Sequence, residues 1–168
     1  LINPIDLKQY MVTGGFKGLK NSLEKTPDKV IETIKKAGLR GRGGAGFPTG
    51  LKWDFLARAP DKKYLAINAD EGDPGAFMNR IIMESDPFEV LEGMRIASYA
   101  TGAKNGIIYT RAEYPLAIST LDKAIHILKE NNLLGKNILG REGFDFEITI
   151  MKGAGAFVCG EETALMKS

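Results

Sequence analysis

Tyr64-Leu65-Ala66-Ile67-Asn68-Ala69-Asp70-Glu71-Gly72-Asp73-Pro74-Gly75 is the stretch on which the fold turns. Residues 63–69 form a short apolar run of strand length. The run stops at three carboxylates within four residues, Asp70, Glu71 and Asp73. Asp, Gly and Pro are turn formers, so a buried strand delivers its chain into a polar loop. Downstream the pattern repeats. Asp86-Pro87-Phe88-Glu89 supplies a cap, a proline at the first helical position and a capping-box glutamate, opening a helix with Val90, Leu91, Met94 and Ala97 inward. Residues 106–110, with Ile107, Ile108 and Tyr109, read as a second buried strand. Residues 116–130 carry Ala117, Leu121, Ala124, Ile125 and Leu128 on one stripe and form the strongest helix. Residues 144–151 alternate enough for a third strand.

Successive strands joined by helical crossovers predict a mainly parallel sheet with helices on its faces. The fold class is therefore α/β, a Rossmann-like three-layer domain. Ligands of such sheets gather beyond the carboxyl ends of the strands. The loop after the third strand, Gly153-Ala154-Gly155-Ala156-Phe157-Val158-Cys159-Gly160-Glu161-Glu162-Thr163, is then expected on the same edge as the acidic loop.

Upstream, the first forty residues read as helical. Residues 14–24 form a short amphipathic segment. Thr26-Pro27-Asp28 caps a helix with Val30, Ile31, Ile34 and Leu39 on its apolar side and Gly38 as its stop. This divides the chain into an N-terminal helical segment, 1–40, and an α/β domain, 41–168, incomplete at its C-terminal end. Between them runs Gly41-Arg42-Gly43-Gly44-Ala45-Gly46-Phe47-Pro48-Thr49-Gly50-Leu51-Lys52-Trp53, leading into a helix over residues 48–58. Glycine lets the backbone approach a ligand closely. Loop N–H groups ahead of a helix N-terminus make a site for a phosphate or another anion. A flexible linker is the plainer alternative, but it has no need of Phe47, Pro48, Lys52 and Trp53.

The 168 residues suit one domain, 43% hydrophobic and 26% charged, as in ordinary globular proteins. A net charge of +2 with no Lys/Arg cluster argues against nucleic acid. No apolar run approaches a membrane span and no signal-peptide pattern opens the chain. Leu1 in place of an initiating Met is expected of a piece of a longer polypeptide. Cys159 is the only cysteine, so no disulfide and no multi-thiolate cluster can be built from this chain alone. The single histidine, His126, lies in a helical stretch and reads as a surface residue.

The acidic loop admits three readings: a solvated turn, a hard-cation site, or carboxylates accepting hydrogen bonds from a ribose or ribityl chain. EF-hand spacing and a histidine partner are both missing. Glu161 and Glu162 open a helix, where acids are favoured, yet their adjacency raises a pKa or calls for a polyhydroxyl ligand. Lys52 is the expected counter-charge for these acids or for a phosphate.

Three segments together, GLRGRGGAGFPTGLKW from Gly38, NADEGDPGAF from Asn68 and GAGAFVCGEETALM from Gly153, resemble the flavin-bearing, NADH-oxidising subunit of respiratory complex I. The same subunit type occurs in NAD(P)-linked hydrogenases and formate dehydrogenases. The resemblance implies FMN at the carboxyl edge of the sheet with NADH stacked on its ring. It implies that Gly41, Gly43 and Lys52 meet the flavin and its phosphate environment, with Arg42, Gly44 and Gly46 in the same cofactor-binding loop. Asn68, Asp70 and Glu71 are implied to line the ring and ribityl chain, joined by Gly160 and Glu161. Phe47 and Phe55 flank the adenine, Asp73 lies near the nicotinamide, and Glu162 binds the adenosine ribose and disfavours NADPH. Phe157 stands where the family usually has Tyr, Phe88 replaces a frequent His, and Asn79 a frequent Asp. EGDPGAF and RAEYPLA lean toward the hydrogenase-type members.

The implied activity is hydride transfer from NADH to FMN, then single electrons to iron–sulfur partner subunits. A [4Fe–4S] cluster belongs to a region beyond Ser168, and part of the FMN cradle is expected to be missing with it. The implied location is cytoplasmic, extending to peripheral attachment at the inner face of the membrane through partner subunits. The rival readings are a nucleotide-binding or assembly module without redox turnover, an NADP-linked hydrogenase or formate dehydrogenase diaphorase, and a sugar-phosphate or metal-dependent enzyme.

Overall fold

The structure, a computed structural model, describes residues 3–153 and 165–166. Its sheet has three strands, β1 (Tyr64–Ala69), β2 (Asn105–Arg111) and β3 (Glu147–Gly153), all parallel and in the order β1-β2-β3. Tyr64 pairs with Asn105 and Ala69 with Thr110, while Asn105 pairs with Glu147 and Arg111 with Gly153. All three strands therefore deliver their carboxyl ends to one edge. The expected third strand starts three residues late, because Phe146 is spent on an antiparallel bridge to Gly135 and is buried in the core.

Helix α6 (Pro87–Thr101) packs on β1 and β2, and α7 (Pro115–Glu130) packs on β3. Strand alternation turns Leu65, Ile67, Ala69, Ile108, Ile148 and Ile150 toward these helices, where they join Phe88, Leu91, Ala117, Leu121 and Leu128 in the main core. The opposite row, with Tyr64, Ala66 and Asn68 on β1 and Glu147, Thr149 and Met151 on β3, is exposed. Both helices start as their sequences require. Asp86 caps α6 by accepting from the Glu89 N–H at 3.2 Å, and each helix has proline in its first turn.

The N-terminal helices α1 (Leu7–Val12), α2 (Lys17–Leu23) and α3 (Pro27–Lys36) are followed by α4 (Thr49–Arg58). The segment expected over residues 14–24 divides at Gly14, Gly15 and the left-handed Phe16 into a turn and α2. Helices α2, α3 and α4 pack on the side of α6 away from the sheet, which is why α6 is buried along most of its length. Leu39, expected on the apolar side of α3, lies past its end and is 44% exposed.

Polar groups fasten this layer. The buried Glu92 carboxylate accepts from the Tyr10 hydroxyl at 2.6 Å, the Phe16 N–H at 2.7 Å and the Leu19 N–H at 2.9 Å. A side chain of α6 thus caps the start of α2. Burial beside this acid pushes the Tyr10 hydroxyl pKa upward. Arg95, fully buried one turn on, donates to the Leu91 and Leu133 carbonyls and stacks over Phe16 at 4.5 Å. Burial brings its pKa down to about 10, so it stays charged at neutral pH. Lys63 donates to the carbonyls of Ala57 and Thr101. It joins the C-terminal ends of α4 and α6 immediately before β1, where a cation is favoured.

Helix α5 (Met78–Ser85), between the acidic loop and α6, has no counterpart in the sequence reading. It packs against α7 and α6 and buries Met83.

Candidate functional site

The glycine loop is closed at its base. Arg40 and Pro48 form an antiparallel bridge, Gly41 N–H donates to the Phe47 carbonyl at 2.9 Å, and Thr49 N–H donates to the Leu39 carbonyl at 2.9 Å. Arg40 Nη1 reaches the Gly46 carbonyl at 2.9 Å and braces the loop from within. Gly44 (φ 104°) and Gly46 (φ 60°) take left-handed backbone that the tight return demands. The N–H groups of residues 42–47 have no hydrogen-bond acceptor among the described residues. Among the described residues nothing lies within 4 Å of where a Cβ on Gly43, Gly44 or Gly46 would stand.

The helix behind the loop contributes less than expected. Within the first turn of α4, Leu51 and Lys52 already donate to the Pro48 carbonyl at 3.2 Å, and Thr49 is spent on Leu39. Gly50, the remaining first-turn residue, is buried, so the exposed donors belong to the loop. Lys52 is exposed on that first turn. Phe47 and Phe55 are 44% and 62% exposed, with ring centroids 6.5 Å apart, and form an open aromatic surface beside the loop.

The acidic loop starts where β1 ends. Asp70 N–H donates to Asn68 Oδ1 at 3.1 Å. The Asp70 side chain is only 6% exposed and stands 3.8 Å from Arg111 Nε. Burial raises its pKa above the usual 3.8; Arg111 opposes the rise and Glu113 adds to it. The Glu71 carboxylate accepts from the N–H groups of Asn79 and Arg80 at 3.1–3.2 Å and so caps α5. Asp73 is exposed at the tip, its carbonyl accepting from Ala76 N–H at 3.1 Å. No group of three or more His, Cys, Asp or Glu able to hold a metal occurs among the described residues.

Two of the three expected segments are thus placed. β3 carries the chain out at Gly153 on the edge where the acidic loop begins. Phe157, Gly160, Glu161 and Glu162 lie outside the described residues. Two open cavities, of about 380 and 470 Å³, lie elsewhere, one along α7 by Ser119 and Asp122, the other between Gly14 and α6. Neither involves a site residue named from the sequence. The residues that reading missed are Arg111 and Tyr114, which reach into the acidic loop from β2 and the start of α7. A charged residue closing a buried strand at the ligand edge is the signal that marks Arg111.

A family model described as the Nuo51 FMN-binding domain matches residues 34–168. The chain belongs to that family. It is 54% identical to the NADP-reducing hydrogenase subunit HndC of Solidesulfovibrio fructosivorans, over 99% of this chain and 34% of that protein. It is 49% identical to an NADH-quinone oxidoreductase subunit of Aquifex aeolicus (strain VF5), over 96% and 38%. The chain therefore spans about a third of the length of these relatives. Among solved structures it is similar to an NAD+-reducing [NiFe]-hydrogenase in the H2-reduced state, with a TM-score of 0.78 and 34% identity over 96% of this chain and 27% of that one. The Nuo51-type domain here has no helix, among the described residues, long and apolar enough to cross a membrane.

Proposed function

We propose that this chain is the FMN- and NADH-binding part of an electron-input flavoprotein, working with iron–sulfur subunits of a larger oxidoreductase. The chemistry that bound FMN would supply is acceptance of a hydride from NADH and release of its electrons singly. The observation that carries the reading is the braced glycine loop, whose N–H groups have no acceptor and whose glycines face no atom among the described residues, with an exposed aromatic pair alongside. Such a surface fits a phosphate on the loop and a planar base against Phe47 or Phe55.

Within this reading the N–H groups of Arg42, Gly43, Gly44 and Gly46 receive phosphate, Gly41 closes the base of the loop toward the flavin through its bond to the Phe47 carbonyl, and Lys52 neutralises the phosphate. Asn68, Asp70 and Glu71 set the edge on which the flavin ring and ribityl chain rest, and Asp73 reaches toward the nicotinamide. Gly160 and Glu161 are assigned to the same flavin ring and ribityl chain, Phe157 to the flavin, and Glu162 to the adenosine ribose. The chain's residues bind and orient; none is required to move a proton. The test is the visible spectrum of the protein at the full length its gene encodes, followed by anaerobic NADH. A yellow protein that bleaches supports the reading, and a colourless protein overturns it.

A second reading concerns the nucleotide. The 54% identical relative is described as NADP-reducing, which favours an NADP-linked hydrogenase partner. Bleaching rates with NADH and NADPH, measured side by side, separate the two.

A further inference from the structure

Arg111 closes β2 at the carboxyl edge, and Tyr114 precedes α7 three residues later. Their donors meet on one atom. Arg111 Nη1 donates to the Glu71 carbonyl at 3.1 Å, and the Tyr114 hydroxyl donates to the same oxygen at 3.0 Å. The other guanidinium nitrogens face carboxylates, Nε toward Asp70 Oδ1 at 3.8 Å and Nη2 toward Glu113 Oε1 at 3.3 Å. The Tyr114 ring is held as well, with the Arg111 and Arg80 guanidinium carbons 5.6 and 5.8 Å from its centroid.

A carbonyl oxygen with two donors has both lone pairs engaged, and one of these bonds is charge-assisted. The peptide joining Glu71 to Gly72 cannot turn without breaking both. Gly72 gives that peptide little resistance of its own. The Glu71 carboxylate is fixed at the same time by the start of α5. Both donors are directed at the main chain of the loop that borders the ligand edge.

We propose that Arg111 and Tyr114 are positioning residues for the flavin and dinucleotide site, gripping the Glu71 carbonyl so that the Glu71–Gly72 peptide and the Asp70 carboxylate are presented at a fixed angle to the ligand. The proposal rests on the flavin reading given above. Its test uses the full-length protein with its companion subunits, as wild type, Tyr114→Phe, Arg111→Lys and Arg111→Met. Flavin content and dissociation constant, flavin midpoint potential, KM for NADH with an artificial electron acceptor, and melting temperature are measured for each. Each lost donor is expected to weaken FMN binding or raise KM by about threefold to tenfold and to displace the midpoint potential. Arg111→Lys recovers part of the loss in Arg111→Met. Variants that match wild type in FMN affinity, KM and potential overturn the proposal, whether or not their melting temperature falls. A wild-type protein that carries no flavin overturns the flavin reading itself, and this proposal with it.

Discussion

Asp70 is a carboxylate that the fold holds at an energetic disadvantage. Its side chain is nearly covered, and burial outweighs the opposing pull of Arg111. A carboxylate whose folded pKa lies above its unfolded value adds most to stability while protonated, and that contribution is lost as pH rises through the raised value. Asp70→Asn is therefore expected to gain in melting temperature relative to wild type as pH climbs from about 3 to about 6. Melting curves across that range check it, and a constant offset between the two proteins would contradict the ionisation argument. Groups kept charged against their environment are common where a ligand is awaited. Asp70 could be named from sequence, since three acids after an apolar run are conspicuous. Glu71 could be named too, but its capping role could not. Phe77 gives α5 no side-chain cap, and the cap comes from a residue seven positions before the helix begins. That long reach left α5 without a local start signal in the sequence.

Elements with local signals were legible. Thr26 accepts from the Lys29 N–H at 3.4 Å and Asp86 from Glu89, as their spacing requires. Contacts between elements were not, and Gly50 shows why. Its place in the glycine stretch suggests ligand chemistry, yet it is buried where α4 crosses α3. A Cβ there would stand 2.6 Å from Lys35 Cγ and 2.7 Å from the Lys35 backbone nitrogen. Backbone cannot yield as a side-chain tip can, so Gly50→Ala forces the two helices apart. The expected loss is about 1–3 kcal/mol, read from urea unfolding, and an unchanged midpoint would remove Gly50 from this role. A neighbouring ion pair works the other way: Asp54, also bonded to Arg58 of its own helix, reaches Lys35 and draws α4 to α3.

At the scale of the whole molecule, the exposed surface is 9969 Å² for 18.3 kDa. A compact monomer of that mass exposes about 8,100 Å². Among the described residues, the parallel sheet is packed by α6 and α7 on one face, and the other row of β1 and β3 is exposed, whereas such sheets are ordinarily covered on both faces. Tyr64, Phe77, Met78, Ile81 and Met151 add large apolar side chains to that surface. A polypeptide of these 168 residues is thus expected to enhance the fluorescence of a hydrophobic dye in native buffer well beyond a compact protein of equal mass. Equal enhancement would refute it. The N-terminal layer depends on one carboxylate in the same way: Glu92→Gln keeps the shape but puts an amide N–H₂ where one of three donors now points. A loss of about 1–3 kcal/mol follows from a buried donor left unmatched, and hydrogen exchange of α1 and α2 would report it. The glycine loop is already closed at its base. Because the ends of the loop are tied during folding, its closure entropy is spent before any ligand arrives. An incoming anion therefore orders little backbone, and its capture is governed by diffusion and fit more than by rearrangement.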